Sequence, residues 1–577
     1  MEEKRKLYWR QLKVSSSHPL GELEKSWFLI RPHRKHPIET ARGYNFNMKG
    51  KLALGLLVLF SCQAFDFEQE LSRLQALKAE SDRTGDICEL CHSSVSLFQD
   101  FFLNNDILHE SNFELISGLC AIAMPWTVCH NLVTTYGVVF IQAVGTRYFD
   151  PERFCARFYM CEQPKYVKVN VTMVVEDIMK DAPAVQPLPL PSGETYKFIH
   201  VSDIHLDAHY ETGASMDCKY PLCCRSSFGV TNNTAEQAGY WGSPSKCDLP
   251  QRTVEAFLKQ AATLNASFVF QTGDDPSHAI WLYTPETHLA NSETLSNLFY
   301  AYFPKTQVYP IMGNHAGFPQ DQYHYGNEQW LLEGLTAMWE QWLPPQAQTT
   351  HLENAYYSIK DAATGVRVLG INTQMCDNMN LWLILNDTDP ANHLQWLRSA
   401  LYEAEQAGEA VFIIGHIPPG DHFCASTWAT VYRALVNRFR NTITGQFFGH
   451  THKDQFEVVE SLQSGQPPAG VVYVVPGMTS FSYHSPCFRL YEADKSTHRI
   501  LNFYTYCLDL ASANTDNATF PQFHITYDPI SLYNMTDLSP ASWAELSQRL
   551  SSSPQLAQTY WEHYTNPVPV VTQCDGN

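Results

Sequence analysis

Positive charge is what this sequence is short of. Lys and Arg number 39 against 59 Asp and Glu, which leaves a net charge of −20 with His neutral. Recognition of a phosphate backbone rests on Lys and Arg, so this balance argues against a nucleic-acid binder. Long apolar runs are also scarce. Beyond residue 64 no stretch reads as apolar enough to cross a bilayer, so no transmembrane segment is expected in the mature chain. Internal repeats are absent from the reading. The C-x-x-C at Cys88 and Cys91 has no second C-x-x-C or His pair to complete a zinc site.

What is present builds cores. Hydrophobic residues make up 44% and aromatics 13% of 577 residues, a globular composition with room for about three or four domain-sized units. There are 23 His, and charging all of them would carry the net charge from −20 to +3. Below a pKa of about 6.5 the surface would therefore repel an anionic membrane less. The 16 Cys are clustered, which points to disulfides and an oxidising compartment. "MKGKLALGLLVLFSCQA", residues 48–64, has a basic start, a short apolar run and small residues at its end. It is the pattern of a secretory signal peptide. Residues 1–47 are polar and unpatterned, and are taken as an upstream extension. Six N-x-[ST] sequons, at Asn170, Asn232, Asn265, Asn386, Asn517 and Asn534, fit a glycosylated protein of the secretory pathway.

Residues 84–165 form a compact unit with Cys88, Cys91, Cys120, Cys129, Cys155 and Cys161. Runs such as "CHSSVSLFQDFFLNN" repeat apolar residues at three and four, which predicts helices, and six Cys there suit three disulfides. Residues 166–195 end in the Pro-rich "DAPAVQPLPLPSGE", a semi-rigid linker. From 196 to 480 strands alternate with helices, which predicts an α/β domain. Residues 481–577 read as strands and then helices.

Several apolar strands of that domain end on metal-ligand residue types. "FIHVSDIH" ends in Asp203 and His205, which share a face at i and i+2. "FVFQTGDDPSH" gives Asp274 and His278, "VYPIMGNHAG" gives Asn314 and His315, "VFIIGH" gives His416, and "QFFGHTH" gives His450 and His452. Any one of these could be an ordinary turn. In an open α/β sheet, however, sites form at the C-terminal ends of strands.

The ordered set D-x-H, GD, GNH, GH and GHxH resembles the calcineurin-like metallophosphoesterases over about Lys197–Lys453. The resemblance implies two divalent cations, zinc first and iron or manganese next. It implies that Asp203, His205 and His452 hold one, that Asn314, His416 and His450 hold the other, and that Asp274 bridges. Two cations about 4 Å apart would clamp the phosphoryl centre and activate a water. His315 would protonate the leaving oxygen, and His278 is a second candidate acid. The superfamily usually has an acid after GNH where this chain has Ala316, so the carboxylate orienting His315 must come from elsewhere or the orientation is looser.

The six-Cys helical unit resembles a saposin-type domain, which implies Cys88–Cys161, Cys91–Cys155 and Cys120–Cys129 bridges and contact with lipid. With "CKYPLCCRSS", "GYWGSPSKCDLP" and "NTQMCDNMNLWLILNDTDPANHLQWL", the chain resembles the acid sphingomyelinase family over about Asp86–Tyr564. That implies Cys218–Cys223, Cys224–Cys247 and Cys376–Cys424 bridges. Cys487 and Cys507 flank a strand pair and are candidates to bridge, and Cys574 is left odd. The fold implied is a metallophosphoesterase sandwich of two central sheets flanked by helices. A small all-α unit precedes it and a helical C-terminal region follows. The activity implied is hydrolysis of sphingomyelin at a bilayer surface, by a monomer, in the lysosome or outside the cell. A nucleotide phosphodiesterase with the same metal core and a non-catalytic lipid-binding glycoprotein are the alternatives.

Overall fold

The computed structural model describes residues 87–103, 106–157 and 170–565. The leader, the upstream extension, Cys161 and Cys574 lie outside them. Four helices come first: α1 (Ile87–Leu103), α2 (Asp106–Cys120), α3 (Trp126–Tyr148) and α4 (Pro151–Arg157). Disulfides staple them, Cys91 to Cys155 and Cys120 to Cys129. Cys88 is also disulfide-bonded. Helix α5 (Val171–Met179) starts where the Asn170 side chain accepts hydrogen bonds from the N–H groups of Thr172 and Met173, an N-cap that satisfies two orphan donors.

Two six-stranded sheets follow. In the first, the order is β12 (His524–Tyr527), β11 (Ile500–Cys507), β10 (Cys487–Asp494), β1 (Thr195–Val201), β2 (Phe268–Gln271) and β3 (Gln307–Pro310). In the second it is β4 (Tyr357–Lys360), β5 (Arg367–Gly370), β6 (Val411–Ile414), β7 (Ile443–Phe448), β9 (Gly470–Val474) and β8 (Gln455–Val459). Strands β1, β2 and β3 run parallel, as do β5, β6, β7 and β9. All four residues of β2 and of β6 are buried, the pattern of parallel strands covered on both faces.

Aromatic rings fill the space between the sheets. Phe198 of β1 sits 5.5 Å from Phe412 of β6 and 5.3 Å from Phe447 of β7, and Phe270 of β2 lies 5.3 Å from Phe447. Such pairs add to the area each ring buries. They also lock the two sheets in one register, so the strand ends that carry the polar residues meet at one edge.

The C-terminal strands belong to the first sheet. β10 pairs antiparallel with β1 from Thr195↔Asp494 to His200↔Arg489, and Cys487 faces and bonds Cys507 across β10 and β11. A boundary at residue 480 therefore cuts through one sheet. The final helices are Pro540–Ser552 and Pro554–Thr565; the first opens on a Ser539 cap with Pro540 in its first turn and packs on the second sheet, its Trp543 ring 4.4 Å from Phe456 of β8 and 5.9 Å from Tyr473 of β9.

One expectation is corrected by the helical region. By length and composition α3 could cross a bilayer: it has 23 residues, mean hydropathy 1.3 over its apolar window, and 28% of that window buried. Its apolar residues are spread round the helix rather than gathered in one run. Phe140 is exposed, whereas Val128, Val139 and Ala143 are buried. The buried ones pack on the catalytic region. Val128 clusters with Leu222, Ala279 and Trp281, and Val139 and Ala143 cluster with Trp382. The Asn131 amide donates to Trp281 O at 2.9 Å.

Candidate metal centre

The polar residues at the strand ends sit on tight, strained turns. Asp203, His205, Asp274, His450 and His452 all have positive φ, between 44° and 70°. That region costs a non-glycine residue roughly 1–2 kcal/mol, and such strain collects at functional sites. Hydrogen bonds hold it in place. Asp203 N–H donates to Gly273 O, His205 N–H to Asp274 O, and His450 N–H to both Asp203 carboxylate oxygens, each at 3.0 Å. The turns also touch: a Cβ on Gly313 would lie 2.0 Å from Asp274 Oδ1. Glycine is what lets the β2 and β3 turns approach.

The ligand-type atoms converge in two groups. In one, His452 Nε2 lies 3.1 Å from His205 Nε2 and 3.4 Å from Asp203 Oδ1. In the other, Asn314 Oδ1 lies 2.9 Å from both His416 Nε2 and His450 Nδ1, and His416 Nε2 lies 3.1 Å from Asp274 Oδ2. Asp274 Oδ2 is also 3.7 Å from His205 Nε2, so it stands between the groups.

These atoms fit divalent cations. Ligands bonded at about 2.0–2.2 Å to one cation sit roughly 2.8–3.1 Å apart as neighbours in an octahedron and roughly 3.3–3.6 Å apart in a tetrahedron. Two imidazole nitrogens facing each other at 3.1 Å need a cation or a proton between them. The rings are set to offer bare nitrogens: His205 Nδ1 donates to Pro276 O at 2.8 Å and His416 Nδ1 to Thr272 O at 2.7 Å. That back-bonding orients a metal-binding imidazole.

The electrostatics agree. Burial pushes His205 well below the usual imidazole range, and it pushes His450 down to about 3. Both stay neutral and able to ligate. Burial would raise Asp274, but the imidazoles of His416 and His315 hold it well below the carboxylate range. His416 is opposed by burial yet lifted to about 9 by the Asp274 carboxylate beside it. A positive charge is thus what Asp274 demands at this point.

His278 and His315 flank the first group. Their rings lie 4.0 Å and 4.6 Å from that of His205 and 4.9 Å from each other. His278 Nδ1 meets Asp248 Oδ1 at 2.8 Å, its own N–H donates to Asp248 Oδ2 at 2.6 Å, and its ring stacks on Phe481 at 4.0 Å. With Ala316 after the GNH turn, no acid follows it, and His315 Nδ1 has no hydrogen-bond partner among the described residues. The Gln320 side chain meets His315 Nε2 at 2.9 Å, and Asp274 Oδ2 is 4.0 Å away. Burial pushes His315 down to about 4.

Sequence reasoning missed Asp248, Gln320 and Asp321. Asp248 lies in "SKCDLP" on an irregular loop, 30 residues before His278, where no spacing announces it. Asp321 follows the GNH turn and accepts from Asn314 Nδ2 at 2.7 Å. Burial and the charge of Asp274 push it up to about 6. Cys218–Cys223, Cys224–Cys247 and Cys376–Cys424 disulfides tie the loops around the site. All six sequon asparagines are exposed.

Comparison with known proteins follows this geometry. Residues 196–454 match the calcineurin-like phosphoesterases, and residues 468–577 match the acid sphingomyelin phosphodiesterase C-terminal region. Sphingomyelin phosphodiesterase A of Dictyostelium discoideum is 31% identical over 520 residues, covering 85% of this chain and 86% of that protein. Sphingomyelin phosphodiesterase 2 of Caenorhabditis elegans is 32% identical, covering 83% of each. Human sphingomyelin phosphodiesterase is 36% identical over 66% of this chain and 61% of its own length. With the two family regions in tandem, and identity above 30% running across most of two relatives, this chain belongs to the acid sphingomyelinase family of calcineurin-like phosphoesterases.

Proposed function

We propose that this protein hydrolyses sphingomyelin to ceramide and phosphocholine, with Asp203, His205, Asp274, Asn314, His416, His450 and His452 holding two divalent cations, zinc first. The observation that carries the reading is one assembly: a ligand cluster whose flanking loop, with His278, packs against a helical region that ends in an apolar tip. Cations held there supply the positive charge that polarises a phosphoryl group and makes water nucleophilic. The chain's own groups do the rest. Asp274, drawn to both ligand groups, fixes their separation. Asp248 holds the His278 ring with its Nε2 turned toward the site. His315, which burial holds neutral, would take a proton when a phosphodiester's negative charge is beside it and give that proton to the departing ceramide oxygen.

The substrate lies in a bilayer, and the helical region offers a way to meet it. Leu115, Leu119 and Ile122 are 67%, 64% and 86% exposed, with Met124 and Trp126 beside them. An apolar patch of this kind marks an interaction surface. We assign residues 84–165 as a saposin-type unit that docks by this tip. The leader at 48–64, the disulfides and the exposed sequons support a lysosomal or secreted glycoprotein, acting as a monomer.

The test is phosphocholine release from sphingomyelin vesicles at pH 5, with and without a chelator. Release that stops on chelation and returns with zinc is expected. Metal-replete protein that releases none yet cleaves a nucleotide diester would overturn the substrate.

A further inference from the structure

His452 lacks the bond that orients His205 and His416. Those two each give their second ring nitrogen to a backbone carbonyl, which fixes the tautomer and the plane of a metal-binding imidazole. His452 Nδ1 makes no hydrogen bond among the described residues, while its Nε2 faces His205 and Asp203. Its φ of 57° is also a costly one for a residue with a side chain. Other groups must hold this ring in place.

The residues around it supply that hold. The backbone of Gly477 presses close: a Cβ there would lie 3.2 Å from His452 Cβ. One residue further along the chain, Lys453 Nζ donates to His484 Nε2 at 3.0 Å, and His484 Nδ1 donates to Thr565 O at 3.0 Å. A carbonyl only accepts, so Nδ1 carries the ring proton and Nε2 is bare for the ammonium. The Asp454 N–H donates to Tyr564 O at 3.2 Å. Tyr564 and Thr565 end the final helix. Two of the carbonyls left orphaned at its last turn are thus taken by this short segment, and the ammonium stands one ring away from the helix's negative pole, which favours a cation. His484 is 4% exposed, and its ring lies edge-on at 6.3 Å from that of His452. Among the described residues no acid pairs with Lys453, so an ordinary surface ion pair does not explain it. Asp454, buried and paired with Arg489, fixes the chain two residues after His452. The backbone at Lys453 is left to be set by its own side chain.

We infer that Lys453 and His484 are positioning residues that brace His452 for the first cation, with the end of the final helix as their anchor. The C-terminal region thereby sets how tightly one of the two cations is held. This rests on the reading of His452 as a ligand, and it adds two residues that act on the metal only through that ligand.

The test uses full-length enzyme loaded with zinc and a series of chelator concentrations. Bound zinc is counted by elemental mass spectrometry, and the melting temperature of the metal-free protein is followed alongside. Wild type should hold two zinc ions per chain. In His484→Leu one of them should leave at a chelator concentration about tenfold lower or less, the effect expected when a group that orients a metal-binding imidazole is lost. The other ion should stay to within about twofold of wild type. Lys453→Met should act in the same direction. His484→Gln, whose amide accepts from the ammonium and donates to the carbonyl, should stay close to wild type. Unchanged retention of both ions overturns the brace, even with a lower melting temperature, because the two residues are then only structural. Equal loosening of both ions also overturns it, because it reports a general loss of the fold. If His484→Leu is not secreted, Lys453→Met decides by the same measure. Wild-type protein that binds no zinc overturns the metal reading itself, whereas two ions in wild type with unchanged retention in the variants overturns only the brace.

Discussion

His351 should make this enzyme pay for acidity, and removing it should change the pH dependence of stability by a calculable amount. The residue is 1% exposed on the helix Pro345–Asn354. Its Nδ1 lies 2.7 Å from Thr336 Oγ1, Trp339 meets its ring edge at 5.2 Å, and its Nε2 has no partner among the described residues. Burial pushes its pKa from 6.5 down to about 3. The folded ring therefore stays neutral while the unfolded chain takes up a proton below pH 6.5. Stability is full above that value, falls as the pH drops through it, and stops falling near pH 3, where the folded ring charges too. Between pH 7.5 and 4.5 the loss is about two pH units, or about 3 kcal/mol. His351→Leu deletes this term and also one hydrogen bond worth about 1 kcal/mol. The variant should be the less stable protein at pH 7.5 by about 1 kcal/mol and the more stable one at pH 4.5 by about 2 kcal/mol. Urea unfolding followed by tryptophan fluorescence at the two pH values measures the difference. A gap between variant and wild type that is the same at both would refute the reasoning.

Asp274→Asn should remove both bound cations and all measurable turnover while the far-ultraviolet spectrum stays that of wild type; metal analysis of an active variant would refute the bridging role. His315→Ala should cut sphingomyelin turnover by about 10² to 10⁴ with metal content unchanged, and hurt a nitrophenyl ester far less, because nitrophenolate leaves without a proton. Asp248→Asn should lower turnover by about 10- to 100-fold, the range seen when a partner that orients an active-site imidazole is lost. Equal kcat in variant and wild type would show that the bond to His278 is only structural. Leu119→Asp with Ile122→Asp should reduce hydrolysis in vesicles at least tenfold and spare a soluble ester; equal rates on vesicles would remove the tip from the docking surface.

The candidate ligand cluster was legible because a strand end leaves a local trace. An apolar run, a small residue and a polar ligand lie within a few positions, as in "FIIGH" or "QFFGHTH", so Asp274 or His416 could be picked out without knowing the fold. Asp248 leaves no such trace. It reaches His278 from a loop without regular structure, and only the folding of that loop brings the two within 2.8 Å. The seat of α3 was hidden for another reason. Its contacts are made with a different part of the chain, and periodicity says which face is shared but not what it faces. The same ambiguity let α3 pass as too polar to cross a bilayer. The pairing of β10 with β1 was out of reach as well, since alternation along a strand does not name its neighbour.

That pairing sets a timetable for the chain. Strand β1, which aims Asp203 and His205, is completed on one side by β2, its near neighbour in sequence, and on the other by β10. About 300 residues separate β1 from β10, and at a synthesis rate of about 5–20 residues per second the wait is roughly 15–60 s. During that time one edge of the strand that carries Asp203 and His205 at its end has no partner. The Cys487–Cys507 bridge joins β10 to β11 within a single hairpin. It can therefore close as soon as the hairpin emerges and deliver a rigid edge to β1. Assembly of the metal centre then becomes one of the last events of folding, and a defect near the C-terminus would be felt first as a failure to bind metal.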